Sequence, residues 1–96
     1  MTTNQALNEV TQLTFVMPAI QGCDALYLVG DFNGWDSTAH PMQRNDDGSW
    51  SLTLELEPGA VYQYRYCTGD GVWHNDPAAD GYVANPFGSE NSVVRT

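Results

Sequence analysis

WSLTLELEPGAVYQYRYC (residues 50–67) alternates twice, once on each side of a Pro-Gly pair. In the first run Trp50, Leu52, Leu54 and Leu56 fall on one face, and Ser51, Thr53, Glu55 and Glu57 on the other. That period of two is the signature of a half-buried strand. Pro58-Gly59 then reverses the chain, since proline presets one turn position and glycine tolerates the other. In the second run, VYQYRYCT (61–68), Tyr62, Tyr64 and Tyr66 share a face, with Gln63, Arg65 and Cys67 opposite. The two runs are expected to pair as an antiparallel hairpin whose leucines meet the tyrosines in a core. Arg65 is thereby directed outward, away from the tyrosine layer.

Turn signals recur every 8–12 residues on both sides of this segment, between short runs rich in aromatic and β-branched residues. TQLTFVM (11–17), ALYLVGDF (25–32), PMQR (41–44), GVWH (71–74) and NSVVRT (91–96) read as further strands, with GYVAN (81–85) as a short edge piece. In RNDDGSW (44–50), Asp47-Gly48 marks a hairpin turn, and in YLVGDFNGWD (27–36), Asn33-Gly34 marks another tight turn. No long amphipathic helix and no internal repeat is present. The rhythm of about seven short strands predicts an all-β sandwich or barrel. Residues 1–10 are polar without a sustained period and read as a loose tail, leaving one domain over 11–96.

The chain has 96 residues, enough for one modest core and too few for a catalytic barrel with an accessory module. Twelve acidic side chains against three basic ones give a net charge of −9. Nucleic acid and anionic membrane surfaces would be repelled, whereas a neutral ligand would not. Cys23 and Cys67 are far apart in sequence, and the chain starts without a basic and apolar leader, so reduced thiols in a cytoplasmic protein are expected. No apolar run is long enough to span a membrane. His40 and His74 have no metal-ligand spacing with each other or with the cysteines, and no cofactor fingerprint is present, so no metal or cofactor is expected.

Catalytic signatures are missing too: there is no nucleophile elbow, no H-E-x-x-H and no P-loop. Asp46 and Asp47 sit on a turn, where aspartate is favoured for turn chemistry alone and no cleft surrounds a carboxylate pair. The three tryptophans differ in setting. Trp50 begins the alternating strand on its apolar face and reads as core. Trp35 follows Asn33-Gly34, and Trp73 follows Asp70-Gly71, so both lie beside tight turns at strand ends. Spacing alone leaves two readings open for that pair, partial burial or a platform flanked by outward Arg65. A platform of this kind suits a pyranose, which offers a flat C–H face to an indole and hydroxyls to donors at the side. Covering one glucose face removes about 100 Å² from water, worth about 2–3 kcal/mol before losses.

The stretches YLVGDFNGWD, DDGSWSLTLELEPG, YQYRY, DGVWHNDP and NPFGSENSVV, in this order, resemble the glycogen-binding domain family, carbohydrate-binding module family 48. Members occur in the beta subunit of AMP-activated protein kinase and ahead of the barrel of isoamylases, branching enzymes and pullulanases. The resemblance covers residues 11–96. It implies an early-set, immunoglobulin-like antiparallel β-sandwich, and an α-1,4-linked glucan lying across two tryptophans, here Trp35 and Trp73. It further implies a basic contact to sugar hydroxyls at Arg65, where the kinase subunit has lysine, and a hydrogen-bonding asparagine at Asn91. An apolar side chain near the sugar ring corresponds to Phe87, with Ser89 beside it. The arginine keeps the charge but replaces a point donor by a planar fork. CTGDGVW is one residue longer than the kinase-subunit turn.

The reading that follows is a non-catalytic, stand-alone module binding glycogen, starch or maltooligosaccharides, without a catalytic barrel or acid pair. The alternative is a docking domain for a glucan-processing enzyme, because large exposed aromatics are also protein hot spots.

Overall fold

The computed structural model describes residues 10–96; the tail expected over residues 1–10 lies, apart from Val10, outside the described residues. Eight strands follow in order: β1 (Thr11–Met17), β2 (Leu26–Gly30), β3 (Gln43–Arg44), β4 (Trp50–Leu56), β5 (Val61–Thr68), β6 (Trp73–His74), β7 (Gly81–Ala84) and β8 (Glu90–Arg95). A single 3₁₀ turn at Asp31–Asn33 leaves β2. One sheet has the order β1-β4-β3. The other has the order β2-β5-β8-β7, with β6 also pairing β5. Every strand pairing is antiparallel, and the architecture is the all-β sandwich expected.

β4 and β5 do not pair with each other, contrary to the hairpin expected from their sequence. β4 lies between β1 and β3, with Leu54 opposite Leu13 and Leu56 opposite Thr11. β5 lies between β2 and β8, with Tyr66 opposite Leu28 and Tyr62 opposite Val94. The Pro58-Gly59 turn therefore carries the chain from one sheet to the other. Leucines and tyrosines still meet, but face to face across the sandwich, because their apolar faces are equally well buried that way.

The core holds Phe15, Met17, Leu26, Leu28, Met42, Leu56, Tyr64 and Tyr66, with Trp50 only 4% exposed. Phe15 meets Tyr64 edge-on, with ring centres 5.1 Å apart, a favoured aromatic geometry. The Arg44 guanidinium lies 4.6 Å over the Trp50 ring and donates to the Cys23 carbonyl. Asp47-Gly48 does form the β3–β4 hairpin: Asn45 N–H donates to Ser49 O at 2.7 Å, and Gly48 takes a positive φ of 86°.

One polar cluster is built into the interior. Oδ2 of buried Asp76 accepts from the Tyr64 hydroxyl at 2.7 Å and the Tyr66 hydroxyl at 3.0 Å. Its Oδ1 accepts from Ala78 N–H at 2.8 Å, and its own N–H donates to the buried Ser92 hydroxyl. Full pairing is what lets such a group sit in an apolar interior. Both cysteines are buried and free; burial, aided by the nearby Asp70 charge, pushes the Cys67 thiol up. Among the described residues no helix is long and apolar enough to cross a membrane.

Candidate functional site

The site begins where β2 ends. Gly30 passes so close to β5 that a Cβ there would meet Gln63 O at 2.5 Å and the Tyr64 Cβ at 2.8 Å. This close approach sets the Asp31–Asn33 turn directly against the outer face of β5. Asn33 lies within the 3₁₀ turn, so the positive φ expected for it falls one residue later, on Gly34 (66°) and Trp35 (61°). Asn33 serves the turn through its side chain instead. Its amide oxygen accepts from Gly30 N–H at 3.1 Å, and its nitrogen donates to Leu28 O at 3.0 Å and lies 2.9 Å from His40 Nδ1. Trp35 N–H closes the loop onto Gly30 O at 2.9 Å.

A left-handed tryptophan costs about 1–2 kcal/mol, because its Cβ crowds the following carbonyl. Two contacts offset that cost. The indole N–H donates to Asp31 Oδ1 at 2.9 Å, and Asp31 Oδ2 accepts from Gln63 N–H at 2.8 Å. The indole is half-buried against the rim and is not part of the core.

Arg65 follows Gln63 on the same outward face of β5. Its guanidinium lies 5.9 Å from the centre of the Trp73 ring, a cation–π arrangement. Its Nε is sealed from solvent with no hydrogen-bond partner. Trp73 is carried to this face by β6, in register with Cys67, after a turn in which Thr68 N–H donates to Val72 O at 2.8 Å and Gly71 takes φ 90°. Trp73 is 41% exposed, so it too stands outside the core.

The third wall is the turn between β7 and β8. Asn85 organises it: N–H donates to Ser89 O at 2.9 Å, and Oδ1 accepts from Phe87 N–H at 3.0 Å and Ser89 N–H at 3.1 Å. Phe87 is thereby held at the tip, 91% exposed. Beside it on β8, Asn91 accepts from Asn85 Nδ2 and donates to Gln63 Oε1, each at 3.1 Å.

Trp35, Arg65, Trp73, Phe87 and Asn91 line one open cleft of about 560 Å³, together with Asp31, Gln63, Asn85 and Pro86. Ser89 is not among the lining residues; its backbone holds the Asn85 turn. Among the described residues the lining carries one cation, Arg65, and one carboxylate, Asp31. Two indoles and a phenyl ring with amides at their edges can take a ligand that is flat on one side and rich in hydroxyls on the other.

Residues 21–87 match the profile of carbohydrate-binding module 48, the isoamylase N-terminal domain. The chain belongs to the carbohydrate-binding module 48 family. It is 36% identical to a 1,4-alpha-glucan branching enzyme of Photobacterium profundum over 94 residues, which cover 94% of this chain and 12% of that protein. A second 1,4-alpha-glucan branching enzyme, from Xanthomonas campestris pv. campestris, is 49% identical over 55 residues, 54% of this chain and 8% of the relative. The rice (Oryza sativa subsp. japonica) protein FLOURY ENDOSPERM 6, chloroplastic, is 46% identical over 67 residues, 70% of this chain and 12% of that protein. This module 48 chain thus spans about one tenth of the length of these relatives.

Four residues of the module's cleft were not singled out from sequence. Gln63 had a signal, since it stands two positions before Arg65 and strand period puts both on one face. Asn85 precedes a proline, a turn signal that says nothing of a cleft. Asp31 falls inside the run read as strand over 25–32, where nothing marked its two acceptor roles, and Pro86 shares the turn signal of Asn85. Among the described residues no group of three or more His, Cys, Asp and Glu side chains stands close enough to hold a metal.

Proposed function

We propose that this module is a non-catalytic binder of α-1,4-linked glucan such as glycogen, starch or maltooligosaccharides. Trp35 and Trp73 stack on glucose faces, Arg65 and Asn91 hydrogen-bond the hydroxyls, and Phe87, with Ser89 beside it, shapes the edge against the sugar. The observation that carries this reading is the convergence of both indoles and Phe87 on one open cleft, where the charges of Arg65 and Asp31 offset each other. The names of the branching-enzyme relatives support the same substrate class. Hydrolysis of a glycosidic bond calls for a pair of carboxyl groups flanking it. Among the described residues, Asp31 is the one carboxylate lining the cleft, with both oxygens already accepting hydrogen bonds. Two stacked sugar faces, after the cost of association, correspond to a Kd from roughly millimolar to ten micromolar. The two buried free thiols suit a reducing, cytoplasmic setting.

The 91% exposure of Phe87 favours one second reading, a docking surface for a glucan-processing enzyme. Titration with maltoheptaose or β-cyclodextrin, followed by tryptophan fluorescence, separates the two. The glucan reading expects a saturable change that Trp35→Ala abolishes. A flat titration beside capture of a branching enzyme would favour docking.

A further inference from the structure

The amide groups along the cleft floor are polarised in one direction, and the backbone sets that direction. Phe87 N–H and Ser89 N–H can only donate, so the Asn85 side-chain atom they both meet, at 3.0 and 3.1 Å, is its oxygen. Asn85 Nδ2 must then be the atom facing Asn91, and it donates to Oδ1 at 3.1 Å. That leaves Asn91 Nδ2 to face Gln63, where it donates to Oε1 at 3.1 Å. Each amide in the row is fixed by the one before it, and none can flip without turning two donors or two acceptors onto each other.

The row ends at Gln63 Nε2. Among the described residues this nitrogen has no hydrogen-bond partner, and it is not sealed from solvent. Gln63 lines the cleft, and its backbone is pinned by Asp31. Arg65, two positions on, places its guanidinium along the same face, about 6–7 Å further along the strand.

We propose that Gln63 is a further sugar-binding residue of this chain, whose Nε2 donates to glucan hydroxyl oxygens in an orientation imposed through Asn91 by Asn85. The inference rests on the glucan reading and adds a residue and a polarity to it. With Gln63 fixed as donor next to Arg65, this wall of the cleft offers N–H groups and asks for acceptor oxygens. The sugar hydroxyl protons are left to point toward water or the spare lone pairs of Asp31 and Asn91. Asn85 touches no sugar in this scheme; it is a positioning residue that acts by telling the next two amides which way round to sit.

Three variants of the full chain test the assignment, with maltoheptaose binding read by calorimetry and folding checked by urea denaturation. Gln63→Glu keeps the acceptor for Asn91 and loses both N–H groups; Gln63→Met removes the polarity without adding charge. Each is expected to bind about five- to twentyfold more weakly. Asn85→Asp still accepts from Phe87 and Ser89 N–H but cannot donate to Asn91, which frees the row to flip. It is expected to bind about three- to tenfold more weakly, and Gln63→Met made on top of it is expected to lose less than it does alone. In the wild type the Gln63 side-chain N–H resonances are expected to shift on adding maltoheptaose. Unchanged affinity in folded Gln63→Met and Gln63→Glu, with the wild type binding normally, would overturn the role of Gln63 alone. No binding by the wild type at all would instead overturn the glucan reading and this residue's role with it.

Discussion

The indole N–H of Trp35 donates to one oxygen of Asp31 at 2.9 Å, while the other oxygen accepts from the backbone of Gln63 at 2.8 Å. One carboxylate thus ties a rim aromatic to the central strand of the larger sheet. Replacing Asp31 by alanine cuts both ties and leaves a left-handed tryptophan with nothing to hold its ring. Maltoheptaose affinity is expected to fall about three- to tenfold, with faster decay of tryptophan fluorescence anisotropy. Asp31→Asn, which keeps an oxygen for the indole, is expected to lose less in both measurements.

Gly30 has no room for a methyl group, with Gln63 O and the Tyr64 Cβ both within 3 Å of where it would stand. Gly30→Ala is expected to destabilise the fold by about 3 kcal/mol, toward the upper end of overpacking. Because the same contact seats Asp31 on β5, glucan binding is expected to weaken with it. Urea denaturation and a titration on the folded fraction report the two effects.

The tryptophans separate by burial. Trp50→Ala removes a ring 4% exposed in the core and is expected to cost about 3–5 kcal/mol. Trp73→Ala removes a ring 41% exposed, and its cost is expected to stay below about 1.5 kcal/mol. Chemical denaturation of both variants gives the comparison directly.

Asp76 accepts three hydrogen bonds, from two tyrosine hydroxyls and a backbone N–H. Asp76→Ala strands both hydroxyls in the core, at about 1–3 kcal/mol each. A total loss above about 3 kcal/mol is expected by urea denaturation. Adding Tyr64→Phe and Tyr66→Phe to that variant is expected to recover part of it, since no orphan donors then remain.

Burial, with the hydrogen bonds and charge of Asp76, pushes the Tyr64 and Tyr66 phenols well above their ordinary value of 10.0. In the unfolded chain both release protons near pH 10, while the folded chain retains them. The folded state then binds more protons, so the contribution of these two groups is intact below pH 10 and falls as pH rises beyond it. The slope is expected to reach about 2.7 kcal/mol per pH unit for the two groups together. Tyr66→Phe is expected to halve it, as read from urea midpoints between pH 9.5 and 11.5.

Much of this fold was legible because alternation and turn chemistry are local. β1 (Thr11–Met17) and β5 (Val61–Thr68) have the bounds that their apolar periods imply. What Pro58-Gly59 could not reveal is whether the chain returns beside itself or crosses to a second sheet. Both outcomes bury the same faces of Leu52 and Tyr64, so the pattern is silent on the choice. The cleft divides along similar lines. Trp35 and Trp73 declare themselves by being large beside turns, and Arg65 by being a charge on the outward face of an alternating strand, whereas Asp31 and Asn85 act through hydrogen-bond geometry that appears only once the backbone is placed.

Among the described residues, those lining the cleft all come from the five-stranded sheet and its loops, and β1, β3 and β4 contribute none. The β3–β4 tip at Asp46–Gly48 is consequently a place to graft a fluorophore, a surface tether or a second protein. Such cargo would hang from the sheet opposite the proposed glucan cleft, so that attachment and binding could be tested on one domain without sharing a layer.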